Sequence, residues 1–198
     1  MGVYRKGMER AATWAPRRAT GWSVEEYYDL VACGVLGEDD RVELLEGVIV
    51  AGEPQNPPHA SGVWRIQRLL ERTLGERAIV RGQLDYIAGR RSAPEPDIAV
   101  VPVVPDGYAT AHPSRAYAVF EIADSSLLQD RLTKGPIYAK NGVPQYVVVN
   151  LRDPCVENHT RPSVSQRRYL ERTVLRRGEA LRLVAFPDVT LAVDDLLR

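Results

Sequence analysis

Between Ser92 and Asn150 the chain carries three short apolar runs, PDIAVV, AYAVFEIA and QYVVVN, each of which reads as a strand buried on both faces. Two of them hold a carboxylate. Asp97 opens the first, and Glu121 is the one charged side chain between Ala116 and Ala123. An ionised carboxylate in an apolar strand loses its hydration, which is costly unless a cation, hydrogen bonds or a metal replaces the lost water. The pattern therefore predicts a cation beside Glu121. The helical run that follows supplies Lys134, four residues after Asp130 and so on the same helix face.

Two acids and a lysine suffice for phosphodiester hydrolysis. The attacking water is a poor nucleophile that the phosphate repels, so the uncatalysed barrier is very high. Mg²⁺ takes hard oxygen ligands, retains waters, and needs only one or two carboxylates while it activates a water. Asp97 and Glu121 are the candidate ligands, and an ammonium such as Lys134 would orient the water or offset charge developing on the phosphate. Each residue also has a plainer reading. Pro-Asp often opens a strand, Glu121 can pair with an arginine, and Lys134 with Asp130 can form a surface pair worth a few tenths of a kcal/mol.

The flanks supply helices and hairpins. Residues 1–22 form a basic arm, with Arg5, Lys6, Arg10, Arg17 and Arg18 against Glu9, read as a solvated leader or a clasp on a second subunit. Together with the edge-prone hairpins it predicts a homodimer. Ser23 and Glu26 make a capping box for a helix ending at Gly34. RVELLEGVIV reads as a hairpin about Gly47, and Glu43, flanked by Val42 and Leu44, is too enclosed for a simple edge residue. Val63, Ile66, Leu70 and Leu74 form one stripe of a helix that starts near His59 and stops at Gly75. AIVRGQLDYIAG reads as a strand antiparallel to PDIAVV, with Gln83 and Asp85 facing the site. Ser126 and Gln129 predict a second capping box, and Gly135-Pro136 a kink just beyond Lys134. QRRYLERTVL and ALRLVAF read as a hairpin turning at Gly178. Its many arginines are a charged sheet edge, with a phosphate-binding surface as the sharper alternative. VDDLLR is a helical turn.

Composition narrows the function classes. With 198 residues, 44% of them hydrophobic, the chain is long enough for one domain with a sizeable core. Lys plus Arg and Asp plus Glu are 26 each, so there is no global field to attract nucleic acid and any such contact must be local. Cys33 and Cys155 make neither a CxxC pair nor a disulfide framework, which fits a reducing compartment, and His59, His112 and His159 are too scattered for a His/Cys zinc site. No apolar run reaches the roughly 18 residues of a membrane span. These features predict a soluble cytoplasmic protein without a membrane partner.

Helix, three strands, helix, strand is the order of a mixed sheet flanked by helices. PD at the head of one strand, Glu in the next and a lysine beyond it resemble the PD-(D/E)XK nuclease superfamily. RVELLEG, the proline turn before His59, PEPDIAVV, VFEIADSS, DRLTKGPIYAKNGVPQYVVVN and the closing hairpin resemble the Uma2 family over about residues 23–198. The resemblance implies a restriction-endonuclease-like α/β fold with additional N-terminal and C-terminal β-hairpins, in one domain after the arm. It implies a Mg²⁺-dependent site, with Mn²⁺ as a substitute, that acts on DNA through Asp97, Glu121 and Lys134. Glu43 and His59 match motif positions upstream, and with Gln83, which the strand reading turns toward the site, they are the candidate accessory groups. The superfamily places its lysine two residues after the second acid, where this chain has Ala123, so Lys134 serves as a migrated lysine. Gln145 and Asn150 stand where acids are usual. The rival expectation is a catalytically silent nucleic-acid-binding or oligomeric module on the same fold.

Overall fold

The computed structural model describes residues 21–37, 40–52 and 55–198, so all but the last two residues of the basic arm lie outside the described part. Helix α1 (Val24–Ala32) is closed at its start by the predicted box. Ser23 Oγ accepts from Glu26 N at 3.1 Å, and Glu26 Oε2 accepts from Ser23 N at 3.0 Å. Tyr27 then donates to Val42 O at 2.9 Å and fastens α1 to the first hairpin, β1 (Val42–Leu45) with β2 (Val48–Ala51). That hairpin turns at Glu46 and Gly47, both at positive φ, which matches the twist of its strands. A bridge between Leu44 and Ala93 ties it to the segment leading into Asp97, and so carries Glu43 toward the sheet.

The main sheet has six strands in the order β3-β4-β5-β6-β7-β8. Strands β3 (Ile79–Gly82), β4 (Ile98–Val101) and β5 (Ala118–Ala123) form an antiparallel meander. A helical crossover then places β6 (Gln145–Asn150) parallel to β5. Every residue of β4, β5 and β6 is buried, as their unbroken apolar runs require. On one face lies α2 (Pro57–Leu74), capped by Asn56, with Val63, Ile66, Leu70 and Leu74 packed among Phe120, Ile122 and Val147. Gly62 permits a close approach, since a Cβ there would stand 3.1 Å from Ile122 Cγ2, and this contact sets the start of α2 beside the sheet. The other face carries Tyr86, Ile137, Tyr138 and Tyr146 against Val119, Ala123 and Val148.

The crossover departs from the expectation of a capped, kinked helix. It consists of α3 (Leu127–Gln129), a π-helical turn (Asp130–Lys134) and α4 (Gly135–Lys140). Ser126 has helical dihedrals and no capping bond, and its Oγ instead donates to Asp130 Oδ2 at 2.6 Å. Pro136 cannot donate to the preceding turn. The break is absorbed by a widened turn in which Gly135 N donates to Asp130 O, five residues back. Asp130 and Lys134 are both buried as a result.

The C-terminal strands also pair differently from expectation. Strand β8 (Arg168–Leu175) joins β7 (Cys155–Ser163), a segment that the sequence did not mark as a strand, and becomes the sheet edge. Pro162 and the lack of alternation hide β7, and the proline is tolerated because it lies beyond Thr160, the last β7 residue that β6 pairs with. Strand β9 (Ala180–Leu183) pairs with β10 (Phe186–Ala192), burying Leu181, Leu183, Val189 and Leu191 on the α2 side, and the turn α5 (Val193–Leu196) closes the chain.

Glu157 on β7 is fully buried between Arg131 of the π turn and Arg172 of β8, with Arg131 Nε and Arg172 Nη2 each 3.1 Å from its Oε2. Burial pushes its carboxyl up, but the bond from Arg131 and the field of Arg172 outweigh this and hold it below the usual range. A depressed folded-state pKa contributes stability above the unfolded pKa that is lost as pH falls through the folded one. Glu157→Gln is therefore expected to lower unfolding free energy by about 1–2 kcal/mol at neutral pH, because both arginines are partly exposed. In urea titrations the gap to wild type should close in acid.

Candidate active site

The register Ile98↔Phe120 continued one residue outward sets Asp97 opposite Glu121. Asp97 N donates to Glu121 Oε2 at 3.2 Å, and Ile122 N donates to Asp97 Oδ2 at 2.7 Å. Asp97 and Glu121 thus share one end of the sheet. The start of α2 brings His59, whose Nε2 lies 3.0 Å from Asp97 Oδ2 while its backbone N donates to the Asn56 cap.

The predicted cation beside Glu121 is Lys134. Its Nζ lies 3.3 Å from Glu121 Oε1 and 3.2 Å from Glu43 Oε1, and donates to Glu95 O at 3.4 Å. Tyr138, one turn beyond Lys134, donates to Glu121 Oε1 at 2.9 Å. Glu43 Oε2 accepts from Glu95 N at 3.1 Å, so the first hairpin and the approach to β4 are locked around the ammonium. Gln83, the residue after β3, has positive φ, donates its N–H to Asp97 O at 3.1 Å and lines the same pocket. The six residues Asp97, Glu121, Lys134, Glu43, His59 and Gln83 all border one cavity.

Asp85 does not join them. Its carboxylate accepts from Tyr28 OH at 2.8 Å, because the strand ends at Gly82 and the chain turns at Gln83. Gln145 and Asn150 also serve the scaffold: Gln145 bonds Asn158 and the backbone of Arg182 and Val184, and Asn150 accepts from Arg152 N and Asp153 N. The pocket adds Glu95 and also Asp130, which the sequence offered only as a surface partner of Lys134, while Tyr138 reaches Glu121 from behind the lining. Tyr138 was accessible through its four-residue spacing from Lys134. Asp130 was not, since its burial depends on the π turn.

Burial and charge shape the protonation states. Burial raises the carboxyl of Glu121 well above the usual range, against the opposing field of Lys134. Burial also lifts Asp130 to about 6. For Lys134 burial acts downward, but Glu121, Glu43, Asp130 and Asp97 together raise it, so the ammonium persists and protons added in acid go to the carboxylates. His59 is pushed down by burial yet ends higher than an ordinary imidazole through its bond to Asp97.

Carboxylates dominate the lining: Glu43, Glu95, Asp97, Glu121, Asp124 and Asp130 face Arg41 and Lys134. Such a cavity repels a phosphodiester until a dication offsets the charge. Among the described residues no three His, Cys, Asp or Glu side chains converge with metal-holding geometry. What the chain offers is a pair of hard oxygen donors, which fits an ion that keeps most of its own waters. Asp97 Oδ1 accepts no hydrogen bond from the described residues, and Glu121 Oε2 accepts one backbone N–H.

A family model, Uma2, described as "Putative restriction endonuclease", matches residues 24–194. The fold is similar to a crystal structure from Anabaena variabilis described as "a putative nuclease belonging to DUF820", at TM-score 0.70 and 18% identity, covering 88% of this chain and 96% of that one. No curated protein matches the chain.

Proposed function

Because the chain belongs to the Uma2 family, we propose that this pocket is the active centre of a Mg²⁺-dependent endonuclease that hydrolyses DNA phosphodiester bonds. Asp97 and Glu121 would hold the metal, with Mn²⁺ as a substitute. The observation that carries the reading is their cross-strand apposition beside a buried ammonium, joined by the 3.2 Å bond from Asp97 N to Glu121 and the 3.3 Å pair of Glu121 with Lys134.

When bound, the dication would neutralise phosphate charge and lower the pKa of a coordinated water. The remaining work falls to the side chains. Tyr138 and the Asp97 N–H fix the plane of the Glu121 carboxylate. Lys134, steadied by Glu43, borders the cavity, and turning its long 3.4 Å bond away from Glu95 O would free one N–H for the attacking water or a phosphoryl oxygen. His59, with Nε2 3.0 Å from Asp97 Oδ2, has its imidazole pKa raised through that bond, and a charged ring there would steady Asp97 and offset charge on a nearby phosphate. Gln83 borders the cavity as a polar contact for the strand.

A second reading draws on one observation: Lys134 already bridges Glu43 and Glu121, as an internal ion pair of a silent binding module would. Incubation with supercoiled plasmid separates the two. The nuclease reading expects nicked and linear products with Mg²⁺ or Mn²⁺ and none with a chelator; intact plasmid in both metals would favour the silent module.

A further inference from the structure

Helix α2 has two unlike faces. Its buried stripe packs on the sheet, while Trp64, Arg68 and Arg72 follow one another at four-residue spacing on the opposite side and line a shallow groove with Arg65. Trp64 is 67% exposed, so most of its ring contributes nothing to the core. Among the described residues Arg68 pairs only with Glu71, at 3.5 Å on the open surface. Arg65 is turned toward the carbonyls of Asp195 and Leu196, at 3.3 Å each, which holds its stem along the groove. An exposed indole among arginines is the combination that binds unpaired bases and their phosphates, through stacking and cation contacts that tolerate any sequence.

Two further facts bear on the occupant. The chain has no net charge, and the pocket itself is rich in carboxylates, so affinity for a polyanion has to come from a separate local patch. The strip also lies on the helix that carries His59, and Trp64 is five residues further on, about 7.5 Å along the axis and about 140° around it, so a strand passing from one to the other crosses the helix.

We propose that the outer face of α2 is a docking strip for single-stranded nucleic acid, with a base stacked on Trp64 and phosphates along Arg68 and Arg72. The proposal rests on the nuclease reading of the pocket, and it makes a single strand, or a locally opened duplex, the preferred substrate. The strand leaves the cavity over the exposed first turn of α2 and continues along the strip.

The test is fluorescence anisotropy of a short labelled single-stranded oligonucleotide with the full chain in chelator, so that no cleavage intervenes. Trp64→Ala is expected to weaken binding about tenfold. Arg68→Ala with Arg72→Ala should weaken it similarly and reduce the slope of log affinity against log salt by about 1.4, which reports two lost phosphate contacts. Metal-dependent hydrolysis of bis(p-nitrophenyl) phosphate, too small to reach the strip, should be unchanged in both variants. Unaltered oligonucleotide affinity in both variants would overturn the proposal. So would a Trp64→Ala protein that binds normally but shifts its mass in light scattering, which would make the face a contact between copies of the chain. If the small substrate is never hydrolysed while binding still depends on Trp64, the nuclease reading fails and the strip stands.

Discussion

Asp97→Ala is expected to abolish metal-dependent plasmid cleavage, lowering the rate by about 10³-fold or more, beyond the 10- to 100-fold typical of residues that only support a metal ligand. The loss follows from the geometry. Asp97 would contribute one of two carboxylates to the ion, and it also anchors Ile122 N and His59 through Oδ2. Alanine removes all three functions, so the companion variant is Asp97→Asn, which keeps a side-chain oxygen for Ile122 while discarding the charge. Both should bind Mg²⁺ or Mn²⁺ more weakly in calorimetry, and Asp97→Asn should unfold at nearly the wild-type urea concentration. Wild-type cleavage by purified Asp97→Ala protein would move the chemistry elsewhere.

Lys134→Met is expected to remove both activity and stability. The side chain is almost wholly buried, and its loss leaves Glu43 and Glu121 facing one another without a cation, so a penalty of about 3 kcal/mol follows at neutral pH and above. The pH dependence has a definite sign. Glu121 already titrates above the usual range because it is buried, and losing Lys134 raises it further. An acid with a raised folded-state pKa favours folding as pH falls and opposes it as pH rises above the unfolded value. The gap between variant and wild type should therefore widen with pH, which urea titrations across the acid to neutral range measure. Adding Glu121→Gln to Lys134→Met should restore part of the stability and none of the cleavage. A constant gap at every pH would show that Lys134 is not the counter-ion of Glu121.

Much of this architecture was legible because burial writes itself into composition. The runs PDIAVV, AYAVFEIA and QYVVVN became β4, β5 and β6 with their carboxylates where expected, and the Val63 to Leu74 stripe became the inner face of α2. Ser23 and Glu26 formed their box because capping is local chemistry. The same logic failed at Ser126, where the candidate capping oxygen bonds Asp130 instead. It failed again at the C-terminus, where β8 pairs with β7 rather than with β9, although each is four residues away along the chain. Strand pairing is decided by faces that meet across the fold, and a linear pattern carries little of that information.

From the residues alone came the strands, the charge that Glu121 must answer and the identity of Lys134 as the group to answer it, since hydrophobic patterning and the cost of an unpaired buried charge are properties of composition and spacing. Tertiary structure decided the rest. Register set Asp97 against Glu121, the Leu44 to Ala93 bridge drew Glu43 onto Lys134, and a widened helical turn carried Asp130 inside. Those contacts join residues far apart in the chain, and their energies exist only once the intervening segments have packed.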